Sequence, residues 1–192
     1  CYDTGVVITL NSTDNEPDGT GVKEIHATLS GAQVGTVIVS GGSGSVSISA
    51  EGRTTISYYA IDYAGNIEAV KSLTLMIDKT PPSITGLPAA GCTLWPPNHK
   101  LVQVATVNAV DSLSGLAIFN VTVSSNEPGD TDPEFVITGA PLQPQVVQLR
   151  AERLGSGSGR VYTITATASD IAGNSSTSTA TCTVPHDQGK KK

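Results

Sequence analysis

The residues best suited to chemistry in this chain are aspartates that stand in or beside predicted turns. Carboxylate oxygens are ligands that a hard cation such as calcium prefers, and calcium takes roughly six to eight oxygens. Two or three carboxylates, supplemented by backbone carbonyls, would therefore be enough for a site. The alternative is that each carboxylate stays in solvent or accepts backbone N–H bonds within its own turn. The candidate calcium ligands are Asp14, Asp62, Asp78, Asp111 and Asp170.

Two of these aspartates belong to a phrase that the chain contains twice. Residues 57–66 read Ser-Tyr-Tyr-Ala-Ile-Asp-Tyr-Ala-Gly-Asn, and residues 165–174 read Thr-Ala-Thr-Ala-Ser-Asp-Ile-Ala-Gly-Asn. In both, a β-type alternation ends in Gly-Asn, a pair that tolerates the positive φ of a tight turn. Asp62 and Asp170 are about 108 positions apart, which is close to the length of one β-sandwich domain. The repeat therefore predicts the same hairpin in two related domains.

The cysteines limit which disulfides can form, because the chain has only Cys1, Cys92 and Cys182. Cys92 and Cys182 flank the second predicted domain, and one bridge between them would close it. Such a bridge would indicate an oxidising compartment. Two buried free thiols are the alternative, and Cys1 has no obvious partner within the chain.

Aromatic residues make up only 4% of the chain, so each one is a candidate either for the core or for a ligand surface. Trp95 precedes two prolines and could form a platform for a sugar or a proline-rich partner. A plug at the edge of the core is favoured for it, because a large indole gains more from burial. Tyr59 and Tyr63 are the other candidates for ligand contact. Strand alternation places Tyr58 on the face of Ile56, so at most one of Tyr58 and Tyr59 points outward.

Patterns that carry enzyme chemistry are absent from the sequence. No G-x-S-x-G elbow, phosphate loop, H-E-x-x-H or C-x-x-C spacing occurs, and the only histidines are His26, His99 and His186. We therefore predict that the chain is not an enzyme. The net charge of −6 and the pI near 4.9 argue against a nucleic-acid surface. No stretch approaches the roughly 18 apolar residues of a spanning helix, so no membrane insertion is predicted.

The elements that must position these side chains are β-strands. Val, Thr, Ser and Gly dominate the chain, and no window shows sustained helical periodicity. Apolar and polar residues alternate in runs such as 22–30 and 161–170, which predicts strands with one buried face. Pro81-Pro82 interrupts these runs and predicts a short, semi-rigid linker. We predict an all-β chain of two tandem sandwich domains, residues 1–80 and 81–192, the second ending in a basic tail.

The first domain resembles the bacterial immunoglobulin-like repeats of the OmpL47 type. Three stretches carry this resemblance, namely residues 21–25 (Gly-Val-Lys-Glu-Ile), 59–68 around Asp-x-Ala-Gly-Asn, and 77–82 (Ile-Asp-Lys-Thr-Pro-Pro). The second domain is similar to an immunoglobulin-like or HYR-like module, through residues 94–100 (Leu-Trp-Pro-Pro-Asn-His-Lys) and 184–188 (Val-Pro-His-Asp-Gln). The resemblance implies two immunoglobulin-like or fibronectin-III-like sandwiches from a large secreted or surface protein of a bacterium.

What the resemblance implies about function is mainly architecture and location. The partners of such modules would be the neighbouring domains of the parent protein and a cell-surface protein or glycan. Some tandem repeats hold calcium at their junctions, which would place Asp78 near a site. The first hypothesis is a non-catalytic extracellular stalk, adhesion module or spacer. The alternatives are an accessory carbohydrate-binding module of a secreted enzyme, and a subunit of a surface filament that assembles by β-strand addition.

The start of the first domain generates one more expectation. Domains of the OmpL47 type usually begin with a strand before the one that starts here at Gly5, and residues 1–4 leave no room for it. The first domain should therefore expose an unpaired sheet edge, which natural proteins rarely leave open. Either an upstream segment was removed, or a neighbouring molecule supplies the strand, and removal is favoured.

Overall fold

The computed structural model of the chain describes residues 1–14, 19–129 and 132–187. Every regular element in these residues is a β-strand, as the composition predicts. No helix in this part of the chain is long and apolar enough to cross a membrane. The strands are β1 (Val6–Asn11), β2 (Val22–Gly31), β3 (Gly35–Ser40), β4 (Ser43–Ile48), β5 (Gly52–Asp62), β6 (Lys71–Ile77), β7 (Ser83–Thr85), β8 (Cys92–Thr93), β9 (Leu101–Val110), β10 (Leu116–Ser125), β11 (Phe135–Thr138), β12 (Gln145–Arg150), β13 (Gly159–Asp170) and β14 (Ser175–Pro185).

The chain forms two compact units, Cys1–Thr80 and Pro81–Lys192, and each contains its own pair of sheets. The fold class predicted from the sequence is confirmed. The protein is all-β and consists of two tandem immunoglobulin-like or fibronectin-III-like sandwiches joined at Pro81-Pro82.

The first unit packs a four-stranded sheet, in the order β3-β2-β5-β6, over a two-stranded sheet of β1 and β4. All of these pairings are antiparallel. Tyr2 adds an isolated parallel bridge to Ile77. The strands alternate as the sequence predicts, and the inward residues form an aliphatic core. Its buried members are Leu10, Ile25, Ala27, Leu29, Val46, Ile48, Ile56, Ala60, Leu75 and Ile77.

The second unit packs the sheet β10-β13-β14-β8 over the sheet β11-β12-β9-β7. Its pairings are antiparallel except for β14 and β8, which run parallel. β13 lies inside its sheet, and Tyr162, Ile164 and Ala166 on its inner face are inaccessible to solvent. Burying one aliphatic side chain of this kind contributes about 1.5–3 kcal/mol. The period-2 pattern of β13 therefore stabilises this unit by burying one face of the strand.

A disulfide between Cys92 and Cys182 joins β8 to β14, as the sequence predicted. The two residues are direct partners in the parallel pairing, and their Cα atoms are 4.6 Å apart. Cys1 is free and exposed. The bridge spans a sequence separation of 90 residues, so it stabilises the unit by roughly 4 kcal/mol through the lower entropy of the unfolded chain.

A buried arginine organises the polar end of the second core. Arg160 is inaccessible to solvent, and its guanidinium donates to the carboxylates of Glu127 and Glu134. Glu127 Oε2 also accepts the Leu154 N–H at 2.8 Å. Burial raises the pKa of Tyr162, although the hydrogen bond from Arg160 lowers it, so the hydroxyl keeps its proton and donates to a backbone carbonyl at 2.9 Å. The network attaches the loops before β11 and before β13 to the core.

We expect Cys92 and Cys182 to react with an alkylating reagent in the unfolded protein only after a reductant is added. Cys1 is a free thiol on the same chain and should react without reductant. Its labelling therefore verifies that the reagent is active under the denaturing conditions. Mass spectrometry of the peptides would locate the labels. Labelling of Cys92 or Cys182 before reduction would contradict the bridge.

Replacing Arg160 by Ala should destabilise the second unit by about 3–5 kcal/mol, because it leaves the carboxylates of Glu127 and Glu134 buried without their cation. Denaturant unfolding followed by circular dichroism measures this change. Lys100→Ala removes an exposed cation of the same unit and should cost less than about 0.5 kcal/mol. Equal effects of the two substitutions would contradict a structural role for the Arg160 network.

Candidate calcium site and the Asp–Asn turns

The repeated phrase forms a turn closed by its own aspartate, and the copy in the second unit shows the geometry in full. Asp170 Oδ1 accepts the backbone N–H of Gly173 at 2.7 Å and of Asn174 at 2.8 Å. Asp170 Oδ2 accepts the side-chain amide of Asn174, also at 2.7 Å. Gly173 has a φ of 109°, which a side chain would make strained. The carboxylate thus fixes the hairpin between β13 and β14.

The copy in the first unit makes the same two bonds from its asparagine to its aspartate. Asp62 Oδ1 accepts the Asn66 N–H at 2.8 Å, and Oδ2 accepts the Asn66 side-chain amide at 2.7 Å. This side-chain hydrogen bond is the main cause that lowers the pKa of Asp62. Burial opposes it, and the N–H groups of Asn66, Gly65 and Ala64 add to the lowering. Both aspartates therefore fill one of the two roles that the sequence left open, acceptance of hydrogen bonds within the turn.

The hairpins that follow the two turns are different. In the second unit β13 and β14 pair without interruption from Ser169–Ser175 onward. In the first unit an isolated bridge joins Ile61 to Ile67, and regular pairing of β5 with β6 begins only at Tyr58–Lys71. The repeated phrase predicts the turn in both units but the continuous hairpin only in the second.

Asp111 belongs to the loop between β9 and β10, and this loop contacts the Asp170 turn. Asp111 Oδ1 accepts the N–H groups of Leu113 at 3.1 Å and of Gly115 at 2.7 Å. The Ile171 N–H donates to the Gly115 carbonyl at 3.0 Å, which joins the turn to the loop. As a result, a carboxylate oxygen of Asp111 lies within 4.8 Å of one of Asp170.

The carboxylates of Asp111 and Asp170 have no counter-charge from a side chain. Neither forms an ion pair with a Lys, Arg or His in residues 1–14, 19–129 or 132–187. Asp170 is only 2% exposed and Asp111 is half-buried, so water screens their repulsion poorly. A hard divalent cation is the group that would neutralise such a pair.

The carboxylate pair lies at the end of the second unit where the chain enters it. Ser83 of β7 is paired with Val110 of β9, the neighbour of Asp111. Ser176, just after the Asp170 turn, donates its hydroxyl to the Pro82 carbonyl at 2.7 Å. The entering segment is therefore bonded to both elements that carry the carboxylates.

In the first unit, Asp14 and Asp62 line one groove of about 550 Å³, together with Glu68. Asp14 Oδ2 accepts the Gly21 N–H at 2.9 Å, Asp62 holds its own turn, and Glu68 pairs with Lys71. Two further acidic residues that follow Asp14 in the sequence, Glu16 and Asp18, lie outside the described residues. The structure thus brings Asp14 and Asp62 to one groove, but each already serves local hydrogen bonds.

Asp78 directly follows β6 in the first unit. Its N–H donates to the Tyr2 carbonyl at 2.8 Å, and its Oδ1 accepts the Thr80 N–H at 3.1 Å. These bonds fix the end of the first unit. The role of Asp78 as a calcium ligand stays a prediction.

Trp95 does not plug the second core. It is 45% exposed, so the favoured prediction of a buried indole is wrong. Its neighbour Leu94 is 4% exposed and fills the position instead, and the Leu94 N–H donates to the Thr183 carbonyl at 2.9 Å. Alternation along the extended chain after β8 points Leu94 inward and therefore Trp95 outward.

The tyrosines of the first unit divide between the core and the surface. Tyr58 packs against the core, as strand alternation predicts. Tyr59 points to the opposite face and stacks on His26, with 5.2 Å between ring centroids and 16° between planes. Tyr63, in the turn, is 69% exposed. Of the three candidate contact residues, Tyr63 and Trp95 are thus open to a ligand, and Tyr59 is partly covered by an imidazole.

The histidines of the second unit have separate partners. His99 Nδ1 lies 3.4 Å from Glu152 Oε2, and His186 Nε2 lies 3.0 Å from the Gly155 carbonyl. Neither joins a group of three or more metal-ligating side chains in the part of the chain that the structure describes. The contact that each imidazole makes with a nearby group accounts for its position without a metal.

The asparagines of the repeated phrase have a role that the Gly-Asn pattern does not by itself predict. The pattern predicts only residues that tolerate a turn, whereas the side-chain amides of Asn66 and Asn174 donate to the aspartate carboxylates. The sequence does contain a pattern that could predict this bond, because the asparagine follows the aspartate by four positions in both copies. That spacing returns the amide to the carboxylate across a tight turn.

No family model matches the chain, and no curated protein matches it. Among solved structures, the EC1-4 fragment of PcdhgB3 is 14% identical with a TM-score of 0.43, covering 95% of this chain and 50% of that one. The fibronectin(III)-like modules of Clostridium thermocellum CbhA are 12% identical with a TM-score of 0.33, and the match covers 100% of this chain and 90% of that one. Protocadherin Gamma B2 extracellular cadherin domains 3-6 are 14% identical with a TM-score of 0.39, covering 84% and 39%.

The chain spans about half the length of the PcdhgB3 fragment. At these identities the likeness concerns the sandwich fold alone. The resemblance to OmpL47-type and HYR-like modules stays a prediction.

Replacing Asn66 by Ala should raise the pKa of Asp62 toward its usual value, because the bond from the Asn66 side chain is the main cause of the lowering. A carboxylate with a lowered pKa stabilises the fold above its unfolded-state pKa, and this stabilisation disappears as the pH falls through the folded-state pKa. The Asp62 turn should therefore open at a higher pH in the variant.

An NMR titration of the Asp62 carboxyl carbon measures this pKa directly. Asn120→Ala, an exposed asparagine of β10, should leave the Asp62 pKa unchanged. The same Asp62 pKa in Asn66→Ala as in the unsubstituted chain would contradict the assigned bond.

Proposed function

We propose that the chain is a non-catalytic, extracellular module pair that serves as a spacer or adhesion stalk in a larger bacterial surface or secreted protein. In this proposal the second unit binds calcium through Asp111 and Asp170. The observation that carries it is the close pair of carboxylates, one of them buried, for which the described residues supply no cationic side chain as an ion-pair partner.

Two features support the extracellular part of the proposal. The Cys92–Cys182 bridge connects β8 and β14, two neighbouring strands that are the first and the last along the chain in their sheet. Structural disulfides of this kind persist in oxidising compartments. Serine and threonine, rather than charged groups, fill most outward positions of β14. A surface of this kind suits a module that keeps its neighbours apart.

The separation of the two carboxylates suits calcium. Calcium–oxygen distances are about 2.3–2.6 Å, so two ligands of one ion can be up to roughly 5 Å apart, and the observed oxygens lie within 4.8 Å. The N–H bonds of Asp111 and Asp170 use only part of their acceptor capacity, since a carboxylate offers about four lone-pair directions. Backbone carbonyls and waters would complete the six to eight ligands.

Calcium bound by Asp111 and Asp170 would lie at the end of the second unit where the chain enters it, beside the Pro82 carbonyl that accepts the Ser176 hydroxyl. It would hold the entering segment in place and so serve a spacer.

A second candidate function is favoured by the exposure of Trp95. An indole that is 45% exposed on a unit with few aromatics is a candidate contact for a sugar ring. If the chain is an accessory carbohydrate-binding module, it should bind glycans on an array through this residue, and Trp95→Ala should abolish that binding. A stalk or spacer should show no glycan binding, either as the unsubstituted chain or as the variant.

Calcium should raise the melting temperature of the second unit, because it binds the folded state only. At a free concentration of about one hundred times Kd the gain is roughly 2.7 kcal/mol, or about 10 °C for a unit of this size. Asp111→Asn should remove most of this rise, since an amide oxygen can keep the bonds to Leu113 and Gly115 but carries no charge.

Calorimetry with calcium and with a chelator measures these shifts. Asp62→Asn is the matched control, because it alters the repeated turn in the first unit and should leave the calcium shift intact. A shift lost in Asp62→Asn and kept in Asp111→Asn would move the site to the first-unit groove. A melting temperature indifferent to calcium would overturn calcium binding.

A further inference from the structure

The two outer edges of the two-stranded sheet in the first unit differ in whether another group hydrogen-bonds to them. On the outer side of β4, the side-chain amide of Gln33 replaces a strand. Its Nε2 donates to the Ser47 carbonyl at 2.9 Å, and its Oε1 accepts the Ser49 N–H at 2.9 Å. One amide thus satisfies a backbone acceptor and a backbone donor of that edge, as a neighbouring strand would.

The outer edge of β1 has no such cover in the described residues, because β1 pairs only with β4. The Ser12 N–H donates to the Gly42 carbonyl on the β4 side at 2.8 Å. Because N–H directions alternate along a strand, Leu10 and Ile8 also face β4. The backbone groups of Val7, Thr9 and Asn11 therefore point to the open edge, and their side chains are exposed.

The second unit covers the corresponding edge. There the sheet order is β11-β12-β9-β7, and β7 lies on β9 through Ser83–Val110, Ile84–Ala109 and Thr85–Asn108. Three of the four sheets in the described residues have four strands, and only the β1–β4 sheet has two. A strand added to β1 would stand where β7 stands in the second unit.

β1 has none of the features that keep natural sheet edges from pairing. Residues 5–13, Gly-Val-Val-Ile-Thr-Leu-Asn-Ser-Thr, contain no charge and no proline, and the pairing of β1 with β4 has no bulge. An open edge of this kind is a template for another strand. The absence of charge matters for the choice of partner, because two identical strands then meet without like-charge repulsion.

We propose that the open edge of β1 pairs antiparallel with β1 of a second copy of this chain. A two-fold axis at Thr9 places Thr9 opposite Thr9 and Val7 opposite Asn11, with their backbone groups hydrogen-bonded across the axis. Ile8 then lies opposite Leu10 on the core side. The two β1–β4 sheets would merge into one four-stranded sheet, the width of the other sheets.

The pairing also covers apolar surface. Val6 and Ile8 point to the core side but stay half-buried, in contrast to Leu10, which is 3% exposed. A strand added next to β1 would complete their burial. The interface is isologous, as in most homodimers, so the same residues contribute from both copies.

Sedimentation of a Cys1→Ser chain from micromolar to millimolar concentration tests the dimer without interference from the exposed thiol. The average mass should rise from 19.6 kDa toward twice that value. In concentrated samples the Val7, Thr9 and Asn11 amides should exchange with deuterium at least tenfold more slowly than in dilute ones. The Ile8 and Leu10 amides, which face β4, should not change.

Thr9→Pro removes an N–H that β4 does not use and should keep the chain monomeric. Thr9→Lys keeps the N–H but places two like charges at the axis, so it should also prevent pairing without disturbing the fold. Thr9→Ala is the matched control and should dimerise. Melting temperature and circular dichroism verify that each variant is folded.

A Cys1→Ser chain that remains monomeric at millimolar concentration overturns the proposal. A dimer that persists in both Thr9→Pro and Thr9→Lys overturns the assignment to this edge. Loss of the dimer in Thr9→Ala as well would show that the hydroxyl, and not the strand edge, carries the contact.

Discussion

The hydrogen bonds of the Asp170 carboxylate are the constraint from which the arrangement of β13, β14 and β8 follows. By bonding Gly173 and Asn174 it fixes a tight turn, and the turn fixes the register of β13 against β14. A slip of one residue in a strand pair would send every inward side chain to the outer face. The observed register puts Tyr162 opposite Cys182, and Cys182 in turn lies beside Cys92, so the disulfide and the core follow from the hairpin. The same turn around Asp62 leads into a less regular hairpin, because β6 resumes its pairing only at Lys71.

The two units reach stability by different means, although both rely on aliphatic residues at alternate positions. The second unit has two four-stranded sheets, a disulfide and the buried Arg160 network. The first unit has four strands over two, and closes one edge with a glutamine amide. In the described residues, the outer edge of β1 has no such cover. The proposed dimer would use this edge.

The proposed calcium ligands lie in a loop and a turn of the second unit. Asp111 and Asp170 come together because the β9–β10 loop and the β13–β14 turn bond each other, and both adjoin the segment that enters the unit. A cation there would act on the position of a chain segment, which is a mechanical role. Such a role is consistent with the proposed spacer or adhesion module.

The sequence alone determined the all-β class, the two sandwiches, the Asp–Asn turn and the Cys92–Cys182 bridge. These features depend on local alternation, on turn chemistry within five residues, and on the count of cysteines. Which aspartates lie close together, whether the indole of Trp95 is buried and which sheet edge is open depended on contacts between residues far apart in the chain. Asp111 and Asp170 are joined by a loop–turn contact, Trp95 is exposed because Leu94 takes the inward position, and Gln33 covers β4 from a loop. No local pattern encodes these outcomes. Each depends on which distant element packs against the residue once the two sheets of a unit have come together.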